Sequence, residues 1–156
     1  MSIITTMRSS LNLEKLVKHV NRKEWWHVPP RDLSAYSKRG KFFASSFREA
    51  EFWGRPLDEP QKVTIEKPLV GDDEAIERKL LGRRLSSEDI TMEDRWALDA
   101  KLKRAGIAKG FDSIVLIAPK AFAEFQSTGK LPRSMELNVL NVGSVGESAQ
   151  RRRPAR

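Results

Sequence analysis

Apolar and polar positions alternate with two periods along the chain, and the switches between them lay out the elements. Leu13, Leu16, Val17 and Val20 recur at helical spacing, so residues 12–22 read as an amphipathic helix with Asn12 as its N-cap. Trp25 to Val28 is a short aromatic run stopped by Pro29-Pro30, which suits a strand. A helical turn follows Pro30 and ends near Gly40, and Lys41 to Ala44 reads as a second strand. Ser46-Phe47-Arg48-Glu49 carries the Ser-x-x-Glu pattern of a helix start, with Phe47, Ala50 and Trp53 on one face until Gly54 and Pro56. Val63, Ile65 and Lys67 alternate with polar partners, the pattern of an edge strand before Pro68.

Asp72-Asp73 places two acids at the positive end of a helix running through Ile76 and Leu80 to Gly82. Thr91 to Asp94 opens a longer helix carrying Trp96, Leu98 and Leu102, with Gly106 and Gly110 in its end region. Ser113 to Ala118 is nearly all apolar, as in a strand covered on both faces. Pro119 to Phe125 is a short helix closed by Gly129, and Met135 to Val142 is the last strand. Five short strands interleaved with helices predict an α+β domain with a mixed sheet.

Length and composition narrow this picture. The 156 residues suit one domain, residues 1–142, followed by a disordered basic tail over 143–156. The net charge is +8, and Arg151, Arg152, Arg153 and Arg156 supply half of it from that tail. A second basic excess lies at residues 8–41, which leaves the rest of the fold slightly acidic. The positive charge therefore reads mainly as a solubilising tail and a basic N-terminal face, with nucleic acid or another anionic partner as the sharper alternative.

No cysteine is present, which excludes disulfides and thiolate chemistry. No apolar run approaches the ~18 residues of a membrane span, and the N-terminus lacks a signal-like apolar core, so the expected compartment is the cytoplasm. No phosphate-binding Gly-rich loop, dinucleotide fingerprint, Gly-x-Ser-x-Gly elbow or His-x-x-x-His pair occurs. What remains is a small set: His27 on the first strand, Phe42-Phe43 on the second, Trp53 one helix later, and Glu136 on the last strand. A carboxylate inside an apolar strand must be exposed, paired or functional.

In that order the residues resemble the ADP-ribosyltransferase fold, in the branch of diphtheria toxin and the poly-ADP-ribose polymerases. WWHVPP is similar to the family's first core strand, GKFFASS to its second, and FREAEFW to the helix that supplies a second aromatic. VTIEKPLVGDD is similar to a strand of several bacterial members, and KGFDSIVL with PRSMELNVLNV resembles the closing pair that carries the catalytic Glu. The similarity spans roughly residues 24–142, and the order of the motifs carries it.

The resemblance implies a mixed, mainly antiparallel split sheet with flanking helices and an NAD-dependent mono-ADP-ribosyltransferase that needs no metal. NAD as substrate would lie between two sheets, with nicotinamide between Phe42 and Trp53, and with His27, Val28, Phe43 and Ser45 also in its site. Glu136, with His27, would be catalytic; Glu136 would stabilise the cationic sugar as nicotinamide leaves. The implied acceptor is a protein or a nucleic acid. Three positions depart from the family: Val28 replaces the usual Gly after the His, Phe42 replaces a Tyr, and Ser134 stands where arginine-modifying members carry Glu or Gln. Two alternatives follow: an RNA 2′-phosphotransferase-like enzyme, and an inactive fold serving as a binding module for nucleic acid or an acidic partner.

Overall fold

The computed structural model describes residues 3–141. The expected tail, and Val142 at the end of the last expected strand, lie outside the described residues. The chain runs through α1 (Ile3–Arg22), β1 (Glu24–Trp25), α2 (Ala35–Arg39), β2 (Lys41–Ala44), α3 (Phe47–Glu51) and β3 (Gln61–Lys62). It continues through β4 (Pro68–Gly71), α4 (Asp73–Leu81), α5 (Met92–Ala108), β5 (Ser113–Leu116), α6 (Pro119–Thr128) and β6 (Glu136–Val139).

The helix starts follow local chemistry. Ser46, Asp72 and Thr91 each accept a hydrogen bond from the amide three residues on, opening α3, α4 and α5. Caps of this kind contribute about 1 kcal/mol each. Gly82 and Gly129 close α4 and α6 in the left-handed conformation, which glycine adopts without a Cβ penalty. Helix α1 passes straight through Asn12, whose side chain instead lies against Gly129 at the end of α6, so close that a Cβ there would come within 2.6 Å of it.

The fold is of the α+β class, with a four-stranded sheet ordered β2-β6-β5-β4 and a separate ribbon of β1 and β3. Three pairings are antiparallel and the β4–β5 pairing is parallel. The ribbon joins the free edge of β2 through one bridge, Trp26 to Ala44. Register sets two rows across the sheet: Ala44, Glu136, Leu116 and Gly71; then Phe42, Asn138, Ile114 and Leu69. These residues share one face, because side chains alternate along a strand. That face packs on Ile76 and Leu80 of α4 and Leu98 and Leu102 of α5.

The opposite face presents Phe43, Leu137, Val139 and Val115 to Leu16 and Val20 of α1, Trp25, and Phe125 of α6. Each such side chain stabilises the fold by about 1.5–3 kcal/mol on full burial. Gly106 lies inside α5 rather than ending it, and a Cβ there would sit 2.7 Å from Leu140 Cδ1. The glycine lets α5 press close to the sheet.

Two expected strands are revised. The first ladder stops at Trp25 and bridges at Trp26, which leaves His27 and Val28 out of it. Val63 and Ile65 point into the core as their alternation implied, yet they form no ladder. Side chains replace the missing strand: Asn21 bonds both backbone groups of Ile65, and Asp112 receives the amides of Glu66 and Lys67. The strand forms one step later at Pro68–Gly71, where proline occupies the first position, as a strand tolerates it.

Candidate active site

A cleft of about 240 Å³ opens at the end of the four-stranded sheet. Its walls come from Ala44 at the end of β2, Leu116 to Pro119 between β5 and α6, and Ser134 to Glu136 entering β6. Glu49 of α3, Trp53 just beyond it, and Asp73 at the start of α4 complete the lining. Three carboxylates and no cationic side chain line this cleft among the described residues. They do not form a metal-holding cluster there.

The partly exposed Glu136 carboxylate accepts no hydrogen bond and makes no ion pair within 4 Å among the described residues. Burial pushes its pKa up to about 7, the negative charge of Asp99 adds to this, and Arg95 pulls the other way. Glu49 has the opposite environment. Burial acts to raise its pKa, but hydrogen bonds from Ser45, Ser134 and Ser46 outweigh it and hold the carboxyl below its usual range. Ser45 Oγ donates to Glu49 Oε1 at 2.6 Å and Ser46 Oγ donates to the same oxygen at 2.9 Å. The cleft thus combines a reluctant anion with a persistent one, the separation of pKa values that marks paired acid and base roles.

Behind Glu136 a second cavity of about 20 Å³ is lined by Phe42, Arg95, Asp99 and Asn138, among others. Arg95 Nε donates to Asp99 at 3.1 Å and Nη1 reaches Asp73 at 3.5 Å. Burial raises the pKa of Asp99 to about 6 against the opposing field of Arg95.

Of the residues singled out in the sequence, Glu136 and Trp53 meet in the cleft. Phe42 shares the sheet face of Glu136 but lines the rear cavity, so it does not stand opposite Trp53 within one opening. The cleft lies at the end of one sheet, not between two. His27 is 3% exposed and both ring nitrogens are engaged, Nδ1 with the Phe42 carbonyl at 2.6 Å and Nε2 with the Tyr36 hydroxyl at 2.8 Å. It packs on Phe43, ring centroids 5.3 Å apart, on the face opposite Glu136. Burial lowers its pKa to about 4, so the ring is neutral.

Ser45 is also buried, and its hydroxyl ties Glu49 to the Met135 amide at 3.2 Å. Val28 lies against Gly54, where a Cβ would come within 3.0 Å of Val28 Cγ1. His27, Val28, Phe43 and Ser45 therefore support the site's frame and do not line the cleft.

Sequence reasoning missed Glu49, Asp73, Arg95 and Asp99. Glu49 was visible only as a helix-capping acid; its side chain leaves the helix start and turns to the serine hydroxyls. Arg95 and Asp99 stand one turn apart, and the signal that marks them is an acid between Leu98 and Leu102 on a buried helix face. No family model matches the chain, and no curated protein and no solved structure matches it either.

Proposed function

We propose that the chain is an NAD-dependent mono-ADP-ribosyltransferase whose working carboxylate is Glu136. The observation that supports this is the unpartnered Glu136 side chain lining the same cleft as the half-exposed Trp53. A half-buried carboxylate without a partner is still costly to ionise, and a cationic group beside it relieves that cost. The nicotinamide ring of NAD is such a group, and so is the ribose cation formed as the ring departs. In the reaction the bond between ribose C1′ and the nicotinamide nitrogen breaks, and its electron pair leaves with neutral nicotinamide. Glu136, ionised by its new neighbour, stabilises the positive charge left on the sugar until an acceptor hydroxyl, amine or other nucleophile on protein or nucleic acid bonds to C1′ and gives up its proton to water. Stabilisation that grows as the charge develops lowers the barrier.

Trp53 offers an aromatic face at the rim, worth about 0.5–1.5 kcal/mol of stacking beyond area burial. Without a cation in its lining, the cleft takes the nicotinamide end of NAD and leaves the phosphates at its mouth. His27 serves by holding the backbone of Phe42, not by touching the ribose. Titration with NAD under tryptophan fluorescence tests this: quenching is expected in the native chain and is lost in Trp53→Phe. The affinity rises as pH increases through about 7, because the ionised form of Glu136 binds the cation. Quenching unchanged in Trp53→Phe, or affinity that falls over that pH range, contradicts the reading.

One observation favours a second reading, a non-catalytic binding module. Phe52 is 83% exposed and packs edge-on against Trp53, at 5.1 Å between ring centroids, so two large rings stand in solvent side by side. Binding of RNA with steep salt dependence and no response to NAD would select that alternative.

A further inference from the structure

We propose that Arg95 and Asp99, on the helix that covers the same sheet face as Glu136, are positioning residues that set its charge. The inference rests on the reading of Glu136 as the working carboxylate. Arg95 is fixed at two points, Asp99 one turn along its own helix and Asp73 at the start of α4. Its guanidinium is thereby shared by two acids before it reaches a third. Glu136 lies within its field but outside ion-pair distance, which leaves the carboxylate undercompensated. The cavity between them, at about 20 Å³, exceeds the ~10–15 Å³ that one water molecule needs, and its wall carries polar groups that a water can bridge.

The ionisable groups facing Glu136 are few. Arg95 and Asp99 come from α5, Asp73 and Glu77 from α4, and Glu49 shares the front cleft. Its sheet neighbours Ala44, Leu116 and Asn138 carry no charge. Arg95 is the only cation in either lining among the described residues. Removal of Asp99 therefore acts twice in one direction, by deleting a like charge and by freeing Arg95 to turn toward Glu136. Removal of Arg95 acts in the other direction. Burial raises the pKa of Glu136, the negative charges of Asp99 and Asp73 add to this, and Arg95 opposes them, in keeping with this arrangement.

The test is a carbon-13 NMR titration of the Glu136 carboxyl in the full chain without ligand, assigned by Glu136→Gln. Asp99→Asn is expected to lower the titration midpoint by about one pH unit and Arg95→Gln to raise it by about one. Arg95→Lys, which keeps the cation, stays within about half a unit of the native value. A role confined to packing would not move the midpoint in opposite directions. Shifts of the same sign, or no shift in Asp99→Asn, overturn the proposal. If Arg95→Gln does not fold, Asp99→Asn together with Arg95→Lys decides the matter by the same criteria. Opposite shifts in a chain that releases no nicotinamide from NAD would leave the pairing intact and reject the catalytic reading alone.

Discussion

The Nδ1–H of His27 donates to the carbonyl of Phe42 at 2.6 Å, on the edge of β2 beside the Trp26–Ala44 bridge. A carbonyl only accepts, so Nδ1 carries the proton; in the neutral ring Nε2 then accepts from the Tyr36 hydroxyl. The imidazole continues the ladder where the backbone leaves it.

Replacement of His27 by Gln is expected to cost about 2–4 kcal/mol at pH 7.5, because a buried carbonyl and a hydroxyl lose their partner. Its pH dependence follows from a folded pKa lowered from 6.5 to about 4. The unfolded chain binds the proton first, so the contribution is present above about 6.5 and is lost as pH falls toward 4, up to about 3 kcal/mol. Urea unfolding at pH 7.5 and 4.5 should show a shallower acid loss in His27→Gln than in the native chain. Equal slopes contradict the buried neutral ring.

Glu136→Gln should behave in the opposite sense. The folded pKa is raised from 4.5 to about 7, so ionisation costs stability above 4.5, and the cost is complete above 7. The variant should match the native chain near pH 4.5 and exceed it at pH 8 by about 1–3 kcal/mol. A variant less stable at pH 8 would mean that the carboxylate has a partner.

Ser45→Ala should destabilise by about 2 kcal/mol, since the Met135 amide is left unsatisfied and Glu49 loses its shortest donor. Ser134→Ala, which removes one donor to Glu49 at an exposed position and leaves no buried amide unsatisfied, should cost about 0.5–1 kcal/mol. Equal losses in urea unfolding would show that Ser45 is not the latch between α3 and β6.

The four tryptophans separate by burial. Trp25 is fully buried and donates to the Val20 carbonyl, so Trp25→Ala should cost about 3–5 kcal/mol. Trp53 is 57% exposed, and its loss should cost less than about 1 kcal/mol. Thermal unfolding of the two variants checks this contrast.

Local signals made most helices legible: Ser46, Asp72 and Thr91 open theirs and Gly82 and Gly129 close theirs, where the residue types placed them. β2 at Lys41–Ala44 also follows its pattern. The stretch at Val63–Lys67 shows the limit, because its alternation records burial of Val63 and Ile65 but not which groups satisfy the backbone. Asn21 and Asp112, both distant in sequence, do that. The site was half legible for a similar reason. Glu136 stood out as an acid among apolar neighbours, and Trp53 as an aromatic near a helix end. The sheet face of each residue was not legible, so His27 and Phe43 fell on one side and Glu136 on the other. The Arg95–Asp99–Asp73 group spans two helices, and only their packing brings it together.

Release of nicotinamide from NAD, quantified by chromatography for the native chain and Glu136→Gln, tests the central claim most directly. We expect steady release by the native chain and a loss of about 10²-fold or more in the variant, the scale for deleting one group that stabilises developing charge. No release by a folded native chain, or equal release by both proteins, would contradict a catalytic Glu136.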